Sequence, residues 1–97
     1  MRQQQVRNSA FARRARLHRT VENTCEAAMN LPYQDGIPPR KWDKAKKIFC
    51  QKLKAVVEKM DKFDDYSIAY YEQRVAEKMA GGVLASVKHN LHKFIGL

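Results

Sequence analysis

Between residues 39 and 63 the chain carries apolar side chains at helical spacing. Trp42, Ala45, Phe49, Leu53, Val56, Met60 and Phe63 advance by three or four residues and hold one face. The opposite face reads Arg40, Lys44, Lys47, Gln51, Lys54 and Lys62, broken by Glu58, and a third row of Lys41, Lys52 and Lys59 flanks the apolar stripe. This pattern predicts the central helix of the molecule, with its lysines turned outward. Two shorter stripes follow it. Ile68, Tyr71, Val75 and Met79, with Ala76 at the edge, predict a helix capped by Asp64 or Asp65 and ended by Gly81-Gly82. Leu84, Val87, Leu91, Phe94 and Ile95 predict a last helix over about 83–95.

Upstream, a helix is expected from a cap at Asn8 or Ser9 to about Asn30. Leu17, Val21, Cys25 and Ala28 share one face of its second half, with Met29 at the edge. Its first half has no such face: Arg13, Arg14, Arg16 and Arg19 spread around much of the circumference. A turn with arginine on several sides cannot enter an apolar core without desolvating a charge. Residues 9–19 are therefore expected to project from the domain or to lie in a polyanionic groove. Residues 31–39 (LPYQDGIPP) form the clearest loop, since Pro32, Gly36, Pro38 and Pro39 each oppose a continuous helix. Tyr33 and Ile37 are candidates to fold back on the core as an ordered strap, and Pro39 suits the first turn of the next helix.

These elements define an all-α fold, a small helical bundle of three to four helices with a basic N-terminal helical arm. The expected division is an arginine-rich arm over residues 1–19 and the bundle over residues 20–97. Residues 1–8 have no hydrophobic period. Ninety-seven residues suffice for one compact core and a tail. No apolar run approaches the ~20 residues that span a bilayer, and the polar, cationic start is unlike a secretory signal.

Charge changes this picture more than composition does. The formal net charge is +9, and it is held in two blocks. Residues 1–20 carry six arginines and no acid, while residues 40–62 carry eight lysines and Arg40 against three acids. Arginine offers a planar fork for bidentate phosphate contacts, whereas lysine is a mobile point charge. The segment from Ala10 to Arg19 has the character of an arginine-rich binding helix, with alanines small enough to approach groove walls. A major groove of B-form DNA admits such a helix as well. Competing readings are a solvated basic tail and, because the segment is Arg-rich and acid-free, a mitochondrial transit peptide.

Catalytic chemistry finds little footing. Asp64 and Asp65 are adjacent and point apart on a helix, Gly81-Gly82 precedes no Lys-Ser/Thr, and no nucleophile has an evident histidine partner. His89 and His92 sit one turn apart without a third ligand, so an exposed pair is the expectation and no metal or cofactor is assigned. Tyr66 and Tyr70 are four apart; core packing or a protein contact is favoured over base stacking. Cys25 and Cys50 form no C-x-x-C motif, and their apolar faces favour two reduced core thiols over a disulfide.

The functional expectation is a non-enzymatic nucleic-acid-binding protein, with RNA ahead of DNA. Its contact residues would be Arg7, Arg13, Arg14, Arg16, Arg19, Arg40, Lys44, Lys47 and Lys54. The alternative is a small adaptor or inhibitor docking on an acidic surface of a larger nucleic-acid-handling complex. No membrane partner is expected. A cytoplasmic location is expected, with the mitochondrial matrix as the alternative.

Overall fold

The computed structural model describes residues 9–63 and 67–95, with side chains as far as Leu91. Arg7, Asp64, Asp65 and Tyr66, and the side chains of His92, Phe94 and Ile95, lie outside the described residues. Among the described residues four helices make up the fold: α1 (Ala10–Met29), α2 (Pro39–Lys62), α3 (Ile68–Lys78) and α4 (Val83–Ile95). Among the described residues none of them is long and apolar enough to cross a membrane.

Helix α1 starts at Ser9, whose hydroxyl accepts a hydrogen bond from the Ala12 amide at 3.1 Å. This satisfies one of the amides that a helix leaves without an internal partner. Helix α2 instead opens on Pro38-Pro39, with Pro39 in its first turn, where the missing N–H costs nothing. The apolar stripe of α2 is buried from Trp42 to Met60 and lies against all three other helices. Helix α1 runs antiparallel beside it: Cys25 meets Cys50, Met29 approaches Lys46, and His18 reaches Asp61.

Two expectations about the stripes change, and one about a cap. Phe63 is 46% exposed, because the chain leaves the helical conformation there and the stripe ends at Met60. Leu84 is 39% exposed, whereas Ser86 and Asn90 are buried beside Val87 and Leu91. Burial of these polar groups is tolerated because they are hydrogen-bonded. The Ser86 hydroxyl donates to the Ala80 carbonyl, the Asn90 amide donates to the Ser86 carbonyl, and the Asn90 side-chain oxygen accepts from Lys52. The cap of α3 is Ser67, whose hydroxyl accepts from the Ala69 amide. Between α3 and α4 the chain reverses through Gly81 and Gly82 at φ +85° and +95°, a region that favours glycine.

The link between α1 and α2 is an ordered strap. The indole N–H of Trp42 donates to the Pro32 carbonyl at 3.1 Å, and Ile37 packs against the core. Tyr33 stays largely exposed, with its hydroxyl donating to Asp43 at 3.2 Å. Lys46 was absent from every sequence-derived role, yet it is 4% exposed and reaches under the strap to the carbonyls of Leu31 (2.7 Å) and Met29 (3.3 Å).

Cys25 and Cys50 are buried and unbridged at the α1–α2 seam, each thiol directed at the other's carbonyl at 3.9 and 3.7 Å. Burial pushes the Cys50 thiol from 9.0 up to about 12, and the neighbouring Cys25 adds to the rise. The native chain thus keeps this proton after an unfolded chain has released it. Stability contributed in this way is intact below about pH 9 and is lost as pH climbs through the alkaline range. Urea midpoints should fall above about pH 9, and fall less steeply in Cys50→Ala; identical pH profiles for the two proteins would refute this.

Candidate nucleic-acid interface

The four α1 arginines occupy three different environments. Arg13 lies on the flank that faces α3, where its guanidinium pairs with both carboxylate oxygens of Glu72. That hydrogen bonding holds the guanidinium above its usual pKa. Its charge is therefore already matched within the protein, in the bidentate geometry that arginine would otherwise offer a phosphate. Arg14 is half-buried. Arg16 and Arg19 are exposed on the outer face of α1.

The first half of α1 is tied down more than a projecting arm would be. Leu17 is buried, His18 Nε2 lies 3.0 Å from Asp61, and the Arg13–Glu72 pair braces the helix against α3. The desolvation argument holds for Arg16 and Arg19, which stay in solvent. It is circumvented at Arg13 by a carboxylate contributed from 59 positions along the chain. Phe11, two residues before Arg13, is 80% exposed.

On α2 the sorting is simpler. Arg40, Lys44, Lys47 and Lys54 are all exposed, as are Gln51 and Lys62 on the same face. Arg40 to Lys54 covers roughly 21 Å of helix axis. The acid nearest in sequence to Lys44 and Lys47, Asp43, is turned aside to accept the Tyr33 hydroxyl, while exposed Glu58 lies one turn beyond Lys54. At the edge toward α1, a groove of about 380 Å³ places Glu26 across from Lys47 and Lys54. The lysine face is consequently most cationic along its outward side and is tempered along this edge.

A second cationic concentration was not expected from the sequence. Lys52 and Lys59, on the far flank of α2, face Arg74 and Lys78 of α3 across a cleft that also holds Tyr70 and Tyr71. The i, i+4 spacing of Arg74 and Lys78 is visible in the sequence, but α2–α3 packing is what sets them opposite the α2 lysines. His89 is exposed on α4 and lines a neighbouring concavity that shares Lys52, Arg74 and Lys78 with this cleft. Among the described residues no group of three or more His, Cys, Asp or Glu gathers to hold a metal ion. No family model, curated protein or solved structure matches the chain.

Proposed function

We propose that the protein binds nucleic acid without catalysing a reaction, with RNA favoured over DNA. The observation that supports this best is the outer face of α2, where Arg40, Lys44, Lys47 and Lys54 stand exposed in one row and Asp43 is drawn away by Tyr33. Such a row can follow a phosphate backbone without reading bases. Arg16 and Arg19 add exposed guanidinium groups able to grip phosphates or stack on unpaired bases, the kind that structured RNA presents. Arg13 has the weaker claim, since a phosphate must displace Glu72 to reach it.

The test is the salt dependence of affinity. If about six phosphates are neutralised on a duplex, log affinity should fall against log salt with a slope of about −5. In Lys44→Gln/Lys47→Gln/Lys54→Gln the slope should be smaller in magnitude by about 2 to 3. An affinity indifferent to salt, or a slope unchanged in the variant, would remove this reading.

One observation favours a second reading. A phenylalanine as exposed as Phe11, on a helix that also exposes Arg16 and Arg19 further along, suits a protein surface that is both apolar and acidic. An adaptor or inhibitor of this kind would keep its partner after nuclease treatment and lose it in Phe11→Ser.

A further inference from the structure

Two concavities run into one another on the side of α2 that lies about 200° around the helix from Cys50. The smaller, of about 170 Å³, lies between α2 and α3 with Tyr70 and Tyr71 on its wall. The larger, of about 520 Å³, lies over Phe49 and Ala85 and reaches the buried Ser86 and Asn90 of α4. Lys52, Arg74 and Lys78 line both, so the three cations mark the junction. Lys59 adds a fourth positive charge to the smaller lobe, and Glu77, 3.4 Å from Arg74, brings a carboxylate to the larger.

Among the described residues these four cations line the double groove against one carboxylate, Glu77, which pairs with Arg74, and Arg74 and Lys78 repel each other within a single turn of α3. An anion at the junction relieves that repulsion. Its phosphate oxygens would meet a planar guanidinium and two ammonium groups, a set suited to phosphate. Lys52 is held in place for this by its hydrogen bond to Asn90, which is itself fixed by the Ser86 carbonyl. Tyr70 supplies a ring. It is half-exposed and braced edge-on by Tyr71, with centroids 5.1 Å apart and planes at 86°. An aromatic face beside a phosphate-binding cluster is the arrangement on which unpaired bases stack.

We propose that this double groove is a nucleotide site, with the phosphate among Lys52, Arg74 and Lys78 and the base stacked on Tyr70. The proposal deepens the nucleic-acid reading and assigns its single-stranded component, but it is carried by residues that the outer face of α2 does not use. A nucleotide unit can come from a single strand or from a free mononucleotide. A duplex keeps its bases paired and cannot supply one.

The test is a titration of isotope-labelled full-length protein, followed by amide chemical shifts, with sodium phosphate, adenosine monophosphate and a single-stranded oligo(dT) of about eight nucleotides. Shifts are expected at Lys52, Arg74, Lys78, Ser86 and Asn90, with adenosine monophosphate binding about tenfold or more tightly than phosphate. Tyr70→Ala should erase that advantage. Arg74→Gln/Lys78→Gln should weaken both nucleotide ligands by about tenfold or more; both positions tolerate glutamine in a helix, and helicity checks the fold. Tighter binding of the oligonucleotide than of the mononucleotide would identify the strand as the source, and binding no tighter would identify a free nucleotide; either supports the site. Phosphate binding as tightly as adenosine monophosphate, or silent groove amides with all three ligands, would overturn it. The outer-face triple variant Lys44→Gln/Lys47→Gln/Lys54→Gln should keep its mononucleotide affinity. If instead that variant alone loses binding, the groove proposal fails and the lysine-face reading stands.

Discussion

Trp42→Ala is expected to remove about 3–5 kcal/mol of stability, a large share of the ~5–15 kcal/mol available to a domain of ordinary stability. Trp42 has no exposed surface and sits where the strap crosses the first turns of α2. Truncation deletes the largest buried side chain of the core and leaves a cavity that rigid helices cannot close. It also removes the indole N–H from the Pro32 carbonyl, although that oxygen keeps the Gln34 side-chain amide at 2.9 Å. The main loss is therefore packing. Trp42→Phe, which retains much of the bulk, should cost about 1–2 kcal/mol. Urea unfolding of the three proteins checks this ordering, and a cost below about 1 kcal/mol for the alanine variant would contradict it.

Lys46→Met is expected to cost about 3 kcal/mol, although it replaces a charged side chain by an apolar one of similar length inside the protein. The Lys46 ammonium holds the carbonyls of Met29 and Leu31, at the end of α1 and just beyond it. There helix carbonyls lack internal partners and the helix dipole is negative. The same ammonium lies 5.5 Å from the Tyr33 ring centre and 6.0 Å from that of Trp42. Methionine fills the space and serves none of these groups. The aromatic share can be separated with a double-mutant cycle: Lys46→Met and Tyr33→Leu should be coupled by about 0.5–1 kcal/mol. Purely additive costs would show that the carbonyls alone account for the effect.

Much of this fold is legible in the sequence because α2 is long and sharply amphipathic. Its period places Trp42, Phe49, Leu53 and Met60 inside and Lys44, Lys47 and Lys54 outside without reference to any other helix. Legibility fails where a position depends on a distant partner. Lys46 falls within the buried arc of α2, one turn after Trp42, but its type argues against burial until the strap brings two carbonyls over it. Arg13 looks like a free cation until α3 delivers Glu72. Leu84 reads as core because leucine is apolar, whereas the arc that α4 turns inward is widened by Ser86 and Asn90, whose hydrogen-bond partners a wheel does not reveal.

The candidate surfaces divide in the same way. The outer face of α2 is a property of one helix and appears in its spacing alone. The groove around Lys52, Arg74 and Lys78 is built where α2, α3 and α4 meet, and no single segment announces it.

That α2 touches every other helix has a kinetic consequence. Its partners lie at most two elements away along the chain, across links of nine, five and four residues. Contacts of that kind close small loops and sacrifice little chain entropy before burial begins to reward them. The chain should thus fold with helical-bundle speed, on the order of microseconds to milliseconds, by assembling its neighbours on α2 as a template.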